Sequence, residues 1–333
     1  MAFVVDGSDW KLGGKSAAQV ESAIERFLDA LGDAKDANVP TWFGENFQTD
    51  PVLGAQILWD LMSPDSPLPL PRELWQELSA YLAQSTNYID EEEQPEGFPT
   101  YVDIAINGGP TVPNRDVAWA HHSVRNGRAV ACIGLWRTGV LSTTSAVATK
   151  SLHWIGNSRS VAEFWRDGID IEGNTLVAFE RLATRAYPEL YFFGNVLHHA
   201  DDFVGGYYAN ALSLKRHLAV LNDYGNWAFT AAPPAEDPTD LPGTVGNSPP
   251  DQLVQTRFAR KQVVIAPEHA NVKSNKTCRE AREVTLDGTL LYCEWHCKLQ
   301  GHQNRIHVHR PVRESNDKLI VAIFTHHLPL PGD

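Results

Sequence analysis

Apolar positions recur along this chain with two periods, and each period marks a different kind of element. Val20, Ile24, Phe27 and Leu31 fall three or four residues apart, which makes one apolar stripe on a helix. Ser16-Ala17-Ala18-Gln19 has the spacing of a capping box and sets where that helix begins. Asp50-Pro51 reads as a second helix start, a capping residue followed by a first-turn proline. The helical period returns over 71–83 through Leu74, Leu78, Tyr81 and Leu82. Further helices are expected from the cap Ser160-Val161-Ala162-Glu163, around 175–186 and around 205–222. Tyr101 to Ile106, Arg128 to Leu135 and Ser151 to Ile155 read as strands, and the acidic, turn-rich stretch from Asp90 to Pro99 reads as a loop.

The pattern changes after residues 231–250, which hold six of the 21 prolines and little to bury. A helical or irregular stretch from Asp251 to Arg260 and a short apolar strand at Gln262 to Ile265 come first. Strand periodicity then runs through Glu283 to Leu286, Leu290 to Leu299, Arg305 to Arg310 and Leu319 to Phe324. Asp287-Gly288 is a two-residue hairpin signal, and Ser315-Asn316-Asp317 makes the last turn. Without regular strand–helix alternation, the fold class expected is α+β. A larger mixed helix/sheet domain (1–230), a linker (231–250) and a small antiparallel β-meander (251–333) would make up the chain.

Composition sets limits on function. A 333-residue chain with 43% apolar residues and ten tryptophans is globular and long enough for two cores. No apolar run approaches the ~20 residues of a membrane span. The first residues lack a basic secretion signal, and four cysteines give no disulfide framework, so a cytoplasmic protein without a membrane partner is expected. Charge is uneven: residues 1–250 hold 16 Lys+Arg against 32 Asp+Glu, whereas 251–333 hold 12 against 9. That division points to RNA or another polyanion as the tail's partner, and to a protein partner or inhibitor for the acidic body.

Seven of the thirteen histidines lie after residue 250, and the strand period collects several on one face. Glu294, His296 and Lys298 share a side of their strand, and Arg305, His307 and His309 share a side of the next. A hairpin across 300–303 that pairs 296 with 307 would turn these imidazoles and cations outward together. Cutting RNA without a metal needs a base, an acid and cations for the phosphate. The acid–base candidates are Glu294, His296, His307, His309, His326 and His327; the phosphate-binding candidates are Lys298 and Arg305. The same atoms have a rival use, because His296, His307 and His309 form an open zinc site by type, although Lys298 and Arg305 would repel a dication. A third reading is a face that binds nucleic acid or acidic protein without chemistry. Cys293 and Cys297 would point away from His296, so a metal knuckle is not expected there. His121-His122 and His198-His199-Ala200-Asp201-Asp202 read as ordinary polar positions.

The string Cys278-Arg279-Glu280-Ala281-Arg282-Glu283-Val284, the turn Asp287-Gly288, Glu294-Trp295-His296-x-Lys298-Leu299, Asn304-Arg305-Ile306-His307 and Leu319 to Leu328 resemble the RelE/ParE superfamily of ribonuclease and gyrase toxins. The resemblance covers about a quarter of the chain, and the paired helices that open those toxins have no counterpart in 251–283. It implies phosphate binding by Lys298 and Arg305 and acid or base roles for the late histidines in a toxin-like ribonuclease module. The architecture, an acidic body on a proline-rich linker beside that module, adds the expectation of a stress or antiviral-defence effector.

Overall fold

The apolar run β1 (Ala2–Val5) is buried on both faces, as a strand inside a parallel sheet must be. It leads to α1 (Ala17–Asp36), where the Gln19 amide donates to Ser16 and the Ser16 amide donates to Gln19, so the capping box forms where its spacing predicts. Val20, Ile24, Phe27 and Leu31 are all buried. β2 (Thr41–Phe43) lies parallel beside β1. The helix expected at Asp50-Pro51 does not form: Pro51 opens β3 (Pro51–Leu53), and Gly54, at a φ of 60°, turns the chain at once into β4 (Gln56–Ile57). A cap and a proline specify one turn only, and no apolar stripe follows to carry it further.

α2 (Arg72–Ala83) and β5 (Thr86–Asn87) follow, then β6 (Asp103–Ile106), β7 (Val112–Pro113) and α3 (Arg115–Arg125). β8 (Val130–Ile133), β9 (Gly139–Thr144), β10 (Thr149–Ile155) and α4 (Ser158–Ile171) come next. The cap of α4 is Asn157, which accepts from the Ser160 amide, so Ser160 sits inside the first turn and does not begin it. One sheet runs β5-β2-β1-β8-β10-β9-β6-β7. It is parallel from β5 to β10 and antiparallel from β10 to β7. The strand–helix–strand connections behind the parallel part are not evident in the sequence, because β2 and β5 are only three and two residues long.

The structure is a computed structural model that describes residues 1–63, 65–230, 249–301 and 303–332, and the chain divides at Gly173/Asn174 into two compact units. The second unit contains α5 (Leu176–Ala186), β11 (Leu190–Phe192), α6 (Gly206–Ala228), α7 (Asp251–Arg260), β12 (Ile265–Pro267), α8 (Ala270–Ser274) and α9 (Lys276–Glu280). It continues with β13 (Glu283–Leu286), β14 (Thr289–Tyr292), β15 (Trp295–Lys298), β16 (Arg305–His309) and β17 (Leu319–Thr325). A five-stranded sheet runs β11-β17-β16-β15-β12, parallel at β11–β17 and antiparallel elsewhere. The expected single strand Leu290 to Leu299 is broken at Cys293-Glu294. Its first half pairs with β13 as a separate hairpin through Asp287-Gly288, both at positive φ, and its second half joins the main sheet.

The domain boundary expected at 231–250 is therefore corrected. Residues 174–230 belong with the tail, because β11 is an edge strand of the tail's sheet and Phe229 packs on Trp295 with ring centroids 5.5 Å apart. Most of that linker, 231–248, lies outside the described residues. The chain is α+β, with its antiparallel meander in the second unit. The new boundary also moves charge: unit 1 holds 12 Lys+Arg against 24 Asp+Glu and unit 2 holds 16 against 17, so the whole second unit carries no cationic excess.

Candidate functional site

Alternation places His296 and His307 on one face of the β15–β16 hairpin, and the register pairs them directly, as the sequence predicts. Their ring centroids lie 5.5 Å apart. The face is not open, however. Glu268, just past β12, reaches over it: β12 pairs Ala266 with His296, and the Glu268 amide donates to the Glu294 carbonyl at 2.7 Å. Glu268 Oε1 faces His296 Nδ1 at 3.4 Å and His307 Nδ1 at 3.8 Å, and accepts from Arg282 Nε at 2.8 Å. Arg282 is itself fixed, its Nη1 donating to the carbonyls of Cys278 at 2.7 Å and Pro329 at 3.1 Å. Exposure decides what each group can do: Arg282 and His307 are 0% exposed, Glu268 6% and His296 7%. The outward-facing array expected from the sequence is thus corrected to a covered one, because a carboxylate–guanidinium pair from outside the hairpin closes over the rings.

The electrostatics follow from that cover. Burial pushes the His307 pKa down to about 3, and neighbouring His296 and Arg282 push the same way, so His307 is neutral at physiological pH. Burial alone would raise the Glu268 carboxyl, but the contacts to His296 and Arg282 outweigh it and hold it at about 2. A carboxylate ionised at every ordinary pH thus faces one imidazole that reaches the surface and one that does not. His296 Nδ1 and both His307 nitrogens are buried without a hydrogen-bond partner within bonding geometry.

The other expected site residues lie apart from this core. Glu294 is taken by Lys273 at 2.7 Å, and His309 Nδ1–H donates to the Arg310 carbonyl at 2.8 Å. Lys298 and Arg305 are opposite one another near the hairpin end, Lys298 exposed and Arg305 partly so. His326 and His327 follow Thr325, the residue opposite Arg305. Among the described residues, the group whose ligand-type atoms lie within 4.8 Å of one another is Glu268, His296 and His307, which shares two members with the expected zinc set His296, His307 and His309.

Glu268 and Arg282 are the residues the sequence reading missed. Glu268 sits in what reads as a polar loop, and Arg282 has no periodic neighbour of like kind, so only the β12–β15 register reveals either. In unit 1, His121 is buried with Nδ1 2.9 Å from Thr143 Oγ1, and burial pushes its pKa to about 4; His122 Nε2–H donates to the Tyr101 carbonyl at 2.8 Å. His198 and His199 lie on a short 3-10 turn, facing Glu180 at 2.8 Å and Asp202 at 2.6 Å. These read as structural partners. No helix among the described residues is long and apolar enough to cross a membrane. No protein-family model, curated protein or solved structure matches this chain.

Proposed function

We propose that the second unit binds RNA and cuts it without a metal, as the working end of a toxin-like or defence effector of the RelE/ParE kind. The observation that carries the reading is the file Arg282–Glu268–His296: a guanidinium holds a carboxylate, which faces an imidazole that is 7% exposed. In such a file the carboxylate keeps the proton on Nδ1, and Nε2 is the base that takes a proton from an attacking 2′-hydroxyl. Lys298 and Arg305 supply cations for the phosphate, and His326 or His327 supplies the acid for the leaving 5′-oxygen. His307 is too deep to touch substrate and holds the His296 ring in place. The even charge of unit 2 leaves any RNA affinity to these local cations.

The test uses the full-length chain with RNA in EDTA. Cleavage is expected, with His296→Gln slower by about 100-fold or more and Lys298→Ala binding RNA more weakly with a salt slope reduced by about 1. No cleavage by the parent protein, or equal cleavage by His296→Gln, removes the enzyme reading. Salt-sensitive RNA binding without turnover would then favour a binding module.

A second reading, zinc held by Glu268, His296 and His307, is favoured by the closeness of their ligand atoms and by the unpartnered nitrogens of His307. The bond from Arg282 to the same Glu268 oxygen opposes it, since a dication there would face a buried guanidinium at short range. Stoichiometric zinc in the purified protein would displace the metal-free reading.

A further inference from the structure

In unit 2, β11 pairs β17 only over Leu319 to Val321, although β17 runs on to Thr325. Past Phe192 the chain leaves the sheet. The Phe193 amide still donates to the Val321 carbonyl at 3.0 Å, and the loop then bonds to itself, the Val196 amide donating to the Phe193 carbonyl and the His198 amide to the Asn195 carbonyl. On the other side of β17, the His326 carbonyl accepts from the Asn304 amide at 2.9 Å, so it points toward β16. Backbone groups alternate between the two edges of a strand. Those of Phe324 therefore also point to β16, and those of Ile323 and Thr325 point to the edge that β11 has left. Among the described residues, no loop backbone group bonds to them there. Burial changes at the same place: Leu319 to Ala322 are buried, whereas Ile323 and Thr325 are only half-buried. The far end of β17 is an open edge, which is a template for another strand.

A cavity of about 350 Å³ lies where β11 would continue, lined among others by Phe193, Val196, Val284, Ile323, Thr325 and Leu328. Phe193, Val284 and Ile323 also pack on the small core that includes Leu286 and Leu291, so these walls are held in place. A strand turns every second side chain to the same face, so a segment paired with Ile323 and Thr325 can send one apolar residue into this space. Charge around the cavity has one sign. From 186 to 214 the chain contains Glu189, Asp201 and Asp202 but no Lys or Arg. His199, another lining residue, faces Asp202 at 2.6 Å, and the Asp202 side chain is 63% exposed. Arg305 is opposite Thr325 on the β16 side, away from the open edge.

We propose that this edge takes an extended segment of a partner protein as an added strand, with one large apolar side chain in the cavity and a lysine or arginine beside Asp202. Backbone bonds to Ile323 and Thr325 set the register, the cavity selects the apolar residue, and the acidic rim selects its basic neighbour. A second copy of the same edge does not meet these demands, because the chain has no Lys or Arg from Leu319 onward. Neither the histidine file nor RNA takes part in this contact.

Full-length protein titrated with a synthetic heptapeptide of alternating leucine and lysine, followed by calorimetry at low salt and by amide hydrogen exchange, tests it. A Kd of about 100 μM or tighter is expected, with exchange at the Ile323 and Thr325 amides slowed at least about tenfold at saturation. Alanine in place of the peptide's leucines should weaken binding at least about tenfold, and N-methylation of alternate peptide amides should abolish it. Asp202→Lys, checked for folding by circular dichroism, should weaken the parent peptide about threefold or more. No binding of the parent peptide overturns the assignment. So does binding that leaves both amides unprotected, or that N-methylation leaves unchanged. Protection of the same amides in the protein alone, rising with its concentration alongside a dimer in sedimentation, gives the edge to a second copy and overturns the partner segment. None of these outcomes depends on RNA cleavage, so the two proposals fail separately.

Discussion

His307 shows how far a single residue's role depends on what covers it. On its strand it is one more imidazole on a polar face; in the fold it is sealed, with no hydrogen-bond partner at either nitrogen. Its folded pKa of about 3 lies below the ordinary 6.5, so the unfolded chain takes up the proton first. The stability this contributes is complete above about pH 6.5 and is lost as the pH falls toward 3. Glu268, held at about 2 against an ordinary 4.5, adds a loss of the same sign between pH 4.5 and 2. Denaturant unfolding across this range should show stability declining from pH 6.5 downward, more shallowly in His307→Leu between 6.5 and 4.5. Parallel curves for parent and variant would mean that His307 is not buried neutral.

At the scale of elements, Arg282 links three segments: the end of β12 through Glu268, α9 through the Cys278 carbonyl, and the chain's last residues through the Pro329 carbonyl. Breaking a buried pair from one side strands the other charge, so Arg282→Met should cost about 3–5 kcal/mol by thermal or urea unfolding. Glu268→Met combined with Arg282→Met should recover much of that, since the uncompensated carboxylate is gone. A double variant as unstable as the single one would mean that packing, not charge, is what Arg282 contributes. The elements themselves were unevenly legible. The α1 stripe, its capping box, α2, the Asp287-Gly288 hairpin and the 296–307 register could all be read from local period, because each is settled by residues close in sequence. The Asp50-Pro51 helix and the unbroken Leu290 to Leu299 strand could not, because partners elsewhere decided both.

For the whole molecule, the boundary at Gly173/Asn174 carries a direct expectation. A fragment of 251–333 lacks β11 and α6 and leaves β17 with an unpaired edge, so it should show no cooperative thermal transition, whereas 174–333 should melt cooperatively by circular dichroism. Cooperative melting of the short fragment would restore the boundary to the proline-rich stretch. Sequence alone determined the α+β class, most helices, the tail's hairpins and the pairing of His296 with His307, since hydrophobic period and turn chemistry act over a few residues. Tertiary structure decided that Glu268 and Arg282 close over those rings, that 174–230 joins the tail, and that β1 lies between β2 and β8. Those outcomes rest on contacts between residues far apart in the chain, where burial and charge compensation, not local pattern, set the lowest free energy.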